Sequence, residues 1–282
     1  MRIARGISVT NTSRPVGISY DADAAAFFTA ASITDTTQKS AVNTLVLSLK
    51  SANIWSKMKA LYPVVGGVAS AHAVNLKTPG TYNLSFATGW THSSTGMTPN
   101  GATYANTNLI PSTAFANTNN HLSYYSRTSA NVGVADIGAF YTNTPATNDY
   151  TAVYSLSVGR STDSNAVGYL SNDDTNRILY TQTNASGMFV LSRTANNSLK
   201  MYQSGILKQT NTVVAGSVFN TLPQNSIYLG ALNYRDSGST SVIQYGAKQC
   251  AFASIGNALT DSESTNFYNA VQTMQTTLGR QV

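Results

Sequence analysis

From Val64 onward the chain repeats one local pattern: a short run of alternating apolar residues, then a cluster of turn residues. Tyr82, Leu84 and Phe86 alternate, as do Leu122 and Tyr124, then Ile137, Ala139 and Tyr141, then Tyr154, Leu156 and Val158. Ile178 and Tyr180, Phe189 and Leu191, Leu199 and Met201, and Ile227 and Leu229 continue the series. Successive side chains on a strand point to opposite faces, so each run predicts a strand with one apolar face. Ser204-Gly205 suits a two-residue hairpin turn, with glycine supplying positive φ. Many short strands without long helices between them argue against a parallel α/β sheet and predict an antiparallel sandwich. No period of fixed length is visible, which disfavours a propeller or solenoid.

Two regions depart from this texture. At the end, Cys250, Phe252 and Ser254 alternate with Ala251, Ala253 and Ile255, a strand that stops at Gly256 and Asn257. Thr260 and Glu263 then stand at capping-box spacing, and Phe267, Val271, Met274 and Leu278 recur on one helical face until Gly279. Near the start, Asp21 to Ser32 predicts a short helix burying Phe27 and Phe28. Asp35 and Gln38 cap a second helix carrying Ala41, Val42, Leu45, Leu49 and Ala52. Ile54, Trp55, Met58, Leu61 and Tyr62 continue helical spacing as a further apolar face, up to Pro63. The expected division is an arm at 1–20, a helical segment at 21–65, and a sandwich with its closing helix at 66–282.

Only 10% of residues are charged, against a usual value of about a quarter. Polarity comes from Thr, Ser and Asn, which favour strands and turns. The formal charge of +6 therefore reflects few acids rather than a basic block, and nucleic acid is not an expected partner. A single cysteine, Cys250, rules out an intrachain disulfide framework, and its apolar strand marks it as a core residue. The first residues lack the apolar core of a secretory signal, and no stretch is long enough to span a bilayer as a helix. Arg2, Arg5 and Arg14 lie in the arm, which is either a loose terminus or a strand that anchors the protein to a larger assembly.

The segments SLKMYQSGILKQT, NSIYLGALN and CAFASIGNALTDSES resemble, in order, the late strands of laminin-G and pentraxin-like members of the concanavalin A-like lectin/glucanase superfamily. Ser204 stands where that pattern usually has Asn. Upstream, FFTAASITDTTQKSAVNTLVLSLKSANIWSKMKALYPVVGG, LSFATGWTHSSTGMTPNG and HLSYYSRT are similar to structural proteins of tailed phages of Bacteroidetes, including crAss-like phages. Together these stretches span roughly residues 21 to 279. The resemblance implies a mainly β, concanavalin A-like jelly-roll sandwich with N-terminal helices and a C-terminal amphipathic helix. It also implies a virion protein, made in the host cytoplasm, as part of a head or tail fibre or decoration. Its partners would be other virion proteins, further copies of itself (a trimer, by analogy with fibres), and host surface polysaccharide. A purely structural adaptor that binds no glycan is the alternative, and a glycan-processing enzyme is a third.

The glucanases of that superfamily use paired carboxylates, one as nucleophile and one as acid. This chain has one glutamate, Glu263, which belongs to the helix cap; Asp136, Asp149 and Asp163 are isolated, and Asp173-Asp174 would face opposite sides of a strand. No enzyme is expected. His72, His92 and His121 lack metal-ligand spacing, and there is no G-x-S-x-G elbow or P-loop. The run Asn172 to Asn176 is either an ordinary turn or a calcium loop in which Asp173 and Asp174 are ligands; no other cofactor is implied. For sugar binding, Trp90, His92, Asn100 and Tyr104 offer aromatic rings with polar neighbours, although Trp90, following an alternating strand, equally suits the core.

Overall fold

In the computed structural model, which describes residues 19–142, 152–171, 176–212, 222–236 and 239–282, the alternating runs form two stacked sheets. The strands begin with β1 (Met58–Tyr62), β2 (Ser85–Phe86), β3 (Trp90–Ser93), β4 (Gly96–Pro99), β5 (Ala105–Asn106) and β6 (Asn120–Ser126). There follow β7 (Ile137–Thr142), β8 (Ala152–Ser157), β9 (Asn165–Leu170), β10 (Ile178–Thr181), β11 (Gly187–Ala195) and β12 (Ser198–Gln203). The last are β13 (Ile206–Asn211), β14 (Tyr228–Leu229), β15 (Leu232–Asp236), β16 (Ser239–Ile243) and β17 (Cys250–Gly256). One sheet runs β13-β12-β11-β6-β17-β4-β3, with β1 beside β17; the other runs β10-β9-β8-β7-β14-β5-β2. Among the described strands, pairing is antiparallel except where β15, itself in a hairpin with β16, lies parallel to β7. The fold is thus the mainly β, antiparallel jelly-roll sandwich that the alternation and the resemblance predict, with helices at both ends of the chain.

Alternation builds two cores from one sheet. Leu122 and Tyr124 of β6 and Phe189 and Leu191 of β11 enter the space between the sheets, where they meet Tyr154 and Leu156 of β8 and Ile137 and Ala139 of β7. The intervening Tyr125, Met188 and Val190 point the other way, into a helical layer. That layer consists mainly of α1 (Ala22–Ala30), α2 (Thr36–Ser51) and α5 (Asp261–Thr277). Two single turns, α3 (Ala69–His72) and α4 (Pro111–Ala114), lie elsewhere in the chain. The first sheet is therefore buried on both faces, whereas the second has a face outside both cores.

Local chemistry explains the helix ends. Asp21 caps α1 by accepting from the Asp23 amide, and Lys50 of α2 reaches both carboxylates. Asp35 accepts from the Gln38 amide, but the Gln38 side chain accepts from the Gly66 amide instead of returning to its own cap. At α5 the reciprocal box forms: Thr260 accepts from the Glu263 amide and Glu263 from the Thr260 amide, while Lys57 pairs with Glu263 at 2.6 Å. Gly279, with φ of +65°, supplies the left-handed residue after the helix.

Two sequence expectations need correction. The apolar spacing from Ile54 to Tyr62 is not a second helical face: Trp55–Lys57 is a 3₁₀ turn and Met58–Tyr62 is β1, paired with β17. A short apolar run satisfies either period, and here the otherwise unpaired half of β17 offers ladder hydrogen bonds. Nor does β17 alternate strictly. Its pairing with β6 slips between Cys250 and Phe252, so Ala251 and Phe252 both face the helices while Cys250, Ala253 and Ile255 face the other sheet. One extra residue in a strand produces this bulge. The Cys250 thiol is fully buried, and burial pushes it up to about 12.

The chain end is held by a buried guanidinium. Arg280 donates to the carbonyls of Pro63 and Val64 at 2.6 Å each, to Ala251 at 3.0 Å and to the Gln275 side chain at 2.6 Å. Val64 has φ of +50°, a left-handed conformation that a β-branched residue avoids without external support. Arg280→Ala leaves these buried acceptors without their donor, so we expect a loss of roughly 3–5 kcal/mol. Thr260→Ala should cost about 1 kcal/mol, as for a lost cap. Urea unfolding monitored by tryptophan fluorescence checks both.

Candidate functional site

On β7, β8 and β9 the residues not used by the inter-sheet core point outward: Phe140, then Val153, Ser155 and Ser157, then Val167 and Tyr169. Register sets them side by side, with Gly138 opposite Ser155, Ser155 opposite Tyr169, Phe140 opposite Val153, and Ser157 opposite Val167. Gly138 makes room here. A Cβ at that position would lie 2.8 Å from both Leu232 Cδ1 and Ser155 Oγ, so Leu232 of β15 can close over the strand only because no side chain is present. Gln244 and Arg160 complete a cavity of about 150 Å³. At about 30 Å³ per water that is on the order of five waters, room for one ring-sized group.

The lining joins apolar walls to polar points. Val153, Val167 and Leu232 are buried, and Phe140 and Tyr169 are half-buried. Ser155 and Ser157 are each 5% exposed, and among the described residues no protein group hydrogen-bonds their hydroxyls. Each hydroxyl brings one donor and two acceptor positions. Arg160 lies in the turn between β8 and β9 and pairs side-on with Asp163: Nε donates to Oδ1 at 3.1 Å and Nη2 to Oδ2. The adjoining guanidinium holds the Asp163 carboxyl at about 2. Below the turn, Asp136 accepts from the Val158 amide at 2.8 Å and faces Lys248 at 3.3 Å, a wholly buried pair that fixes the end of β8. Burial raises the Asp136 carboxyl above its ordinary range despite the cation beside it. These two aspartates, isolated from other acids in the sequence, thus each pair with a cation.

The residues singled out from sequence lie elsewhere. Trp90 is half-buried against Phe86 (ring centroids 5.4 Å apart), and Gly230 approaches its ring closely. His92 meets the same Phe86 at 4.7 Å, and its Nδ1 lies 2.9 Å from Nδ1 of buried His72. Asn100 is exposed, bends over Gly89 and accepts from the Ala102 amide. Tyr104 stacks on Tyr228, centroids 4.3 Å apart and planes 7° apart. Phe86 brings Trp90 and His92 together, and none of the four lines the sheet-face cavity. Arg2, Arg5, Arg14, Asp149, Asp173 and Asp174 lie outside the described residues. Among the described residues no group of three or more His, Cys, Asp or Glu is placed to hold a metal ion.

One Ser–His contact invites a catalytic reading and fails it. His121 donates from Nδ1 to the Asn257 carbonyl at 2.6 Å, which leaves Nε2 to accept from Ser254 at 2.9 Å; Ser254 in turn lies 2.6 Å from Ser123. All three side chains are fully buried, and Phe267 of α5 packs on the imidazole. This is a buried polar link between β6 and β17, closed to substrate.

No protein family and no curated protein matches the chain by sequence. Among solved structures it is similar to domain 4 of AbnA, an extracellular arabinanase of Geobacillus stearothermophilus in complex with arabinotriose. That match has 16% identity and a TM-score of 0.42, over 75% of this chain and 98% of that one. A structure on the cell entry of botulinum neurotoxin type C matches at 12% identity and TM-score 0.47, over 79% of this chain and 53% of that one. The CBM40 of Ruminococcus gnavus IT-sialidase matches at 14% identity and a TM-score of 0.37, over 53% of this chain and 82% of that one.

Burial holds His121 down to about 4 and His72 to about 3, from an ordinary 6.5. Both are neutral when folded and gain protons in the unfolded chain below about pH 6.5. Their contribution is therefore full above that pH and is lost as pH falls towards 4. The loss is on the order of 3 kcal/mol per histidine over that interval. Urea midpoints measured from pH 7 to 4 should fall accordingly, and His121→Gln should flatten the slope.

Proposed function

We propose that this protein is a non-catalytic, lectin-like virion component that binds saccharide on the outer face of its second sheet. The observation that carries the binding part is the sheet-face cavity. The hydroxyls of two buried serines, which have no partner among the described residues, lie beside Tyr169 and Phe140 in a space that fits one sugar ring. Sugars present hydroxyls and C–H faces together, and a mostly apolar pocket with a few convergent polar groups meets both needs. No described lining residue is a carboxylate, so the pair that glycoside hydrolysis requires is not part of this site.

The virion part of the proposal rests on the resemblance of residues 27–67, 84–101 and 121–128 to tailed-phage structural proteins. In that setting the protein is made in the host cytoplasm and assembled with other virion proteins, and self-association into a fibre or decoration repeats the site. Repetition of weak sites gives the avidity that attachment to a host polysaccharide requires. Arg2, Arg5 and Arg14 are the proposed anchoring residues. Calcium at Asp173 and Asp174 is a separate proposal that the sheet-face cavity does not need.

A soluble panel of mono- and oligosaccharides, titrated calorimetrically against the full chain, tests the site. Ser155→Val and Tyr169→Ala should each weaken the best sugar by about tenfold or more, the equivalent of about 1.4 kcal/mol, without changing the far-ultraviolet circular dichroism. Unchanged affinity in both variants would overturn the site, and loss of binding on chelation would move it to Asp173 and Asp174. Antibody labelling of intact phage particles checks the virion assignment, and unlabelled particles would refute it.

A further inference from the structure

We infer that the cavity selects uncharged sugars over acidic ones, and that Asp163 sets this choice by matching the charge of Arg160. The inference rests on the saccharide reading above and adds the class of sugar. Arg160 is the one charged residue among the described lining. Its Nε–Nη2 edge, the fork that would grip a ligand carboxylate with two parallel hydrogen bonds, is already spent on Asp163. The Asp163 carboxylate is further held by the Asn165 amide at 3.2 Å, so it is fixed in place from two sides. Nη1 remains, with donors for a neutral hydroxyl or ring oxygen but without a net positive charge behind it.

The other polar groups agree with this. Ser155, Ser157 and Gln244 are uncharged and pair as readily with sugar hydroxyls as with one another. An acidic sugar would bring its carboxylate towards Asp163 and meet repulsion instead of an open guanidinium fork. The overall charge of +6 draws anions to the protein in general, yet at the cavity the local pairing opposes them. Asp163 does not line the cavity, so its role is to position and neutralise Arg160 rather than to touch ligand.

Matched sugar pairs differing only at the carboxylate provide the test: glucose with glucuronic acid, and galactose with galacturonic acid, titrated against the full chain. The wild type should prefer the neutral member by at least about tenfold at low salt, a preference that narrows as salt screens the repulsion from Asp163. Asp163→Asn keeps an oxygen for the Asn165 amide but frees the guanidinium. It should raise affinity for the acidic member by about tenfold, with marked salt dependence, and Asp163→Asn combined with Arg160→Gln should remove that gain. Wild-type preference for the acidic member, or an unchanged ratio in Asp163→Asn, would overturn the role of Asp163 while leaving saccharide binding intact. Failure of every sugar, neutral or acidic, would overturn the saccharide reading and this inference with it.

Discussion

β17 is held from every side. It pairs with β6 along one edge and with β4 and β1 along the other, and its two faces are covered by α5 and by the second sheet. A strand in this position can carry almost no exposed polar group, which is why it consists of Cys, Ala, Phe, Ser, Ile and Gly and why Ser254 is bonded to His121. The bulge at Cys250–Phe252 follows from the same demand. It turns Ala251 and Phe252 towards the helices while keeping Cys250 and Ala253 between the sheets. Arg280 then uses the Ala251 carbonyl, so the end of the described chain is tied to the strand at the centre.

Because the helical layer covers the first sheet, chemistry is left to the outer face of the second. There the same alternation that packs Tyr154 and Leu156 inward presents Ser155 and Ser157 outward, and the glycine at 138 opens space over the middle strand. The buried Asp136–Lys248 pair steadies the end of β8 from below. Such a pair is expensive to desolvate and contributes little net stability, but removing one partner would leave a buried charge. Its effect here is to hold the Val158 amide, and with it the turn that carries Arg160 and Asp163.

Local patterns proved readable and long-range ones did not. Period-two alternation gave the long central strands, although of the Tyr82–Phe86 run only Ser85–Phe86 pairs, as β2, and Tyr82 is left-handed with φ of +56°; Ser204-Gly205 gave the β12–β13 hairpin, and the Thr260–Glu263 spacing gave the closing cap. Met58–Tyr62 has apolar residues at positions that suit both periods, and the free half of β17, far along the chain, decides for the strand. The cavity was missed for the same reason. Ser155 and Tyr169 lie on different strands, and each looks like an unremarkable outward residue until register places them opposite one another. A conspicuous Trp90 drew attention instead, and its ring lies half-buried against Phe86.

The placing of β17 has a consequence for the order of events in folding. β6 lies between β11 and β17, and among the described strands β1 has only β17 as its neighbour in the sheet. The strand that completes all of these ladders comes last in chain order among the described strands, so the edges of β1 and β6 wait open while the intervening chain is made. Contacts of such wide sequence separation are slow to form, and half-built sheets expose surfaces that pair with the wrong chain. Pulse-labelled hydrogen exchange would show this as late protection of the β1 amides, well after the β12–β13 hairpin has closed. The molecule thus trades speed of folding for a centre that nothing can reach once it is complete.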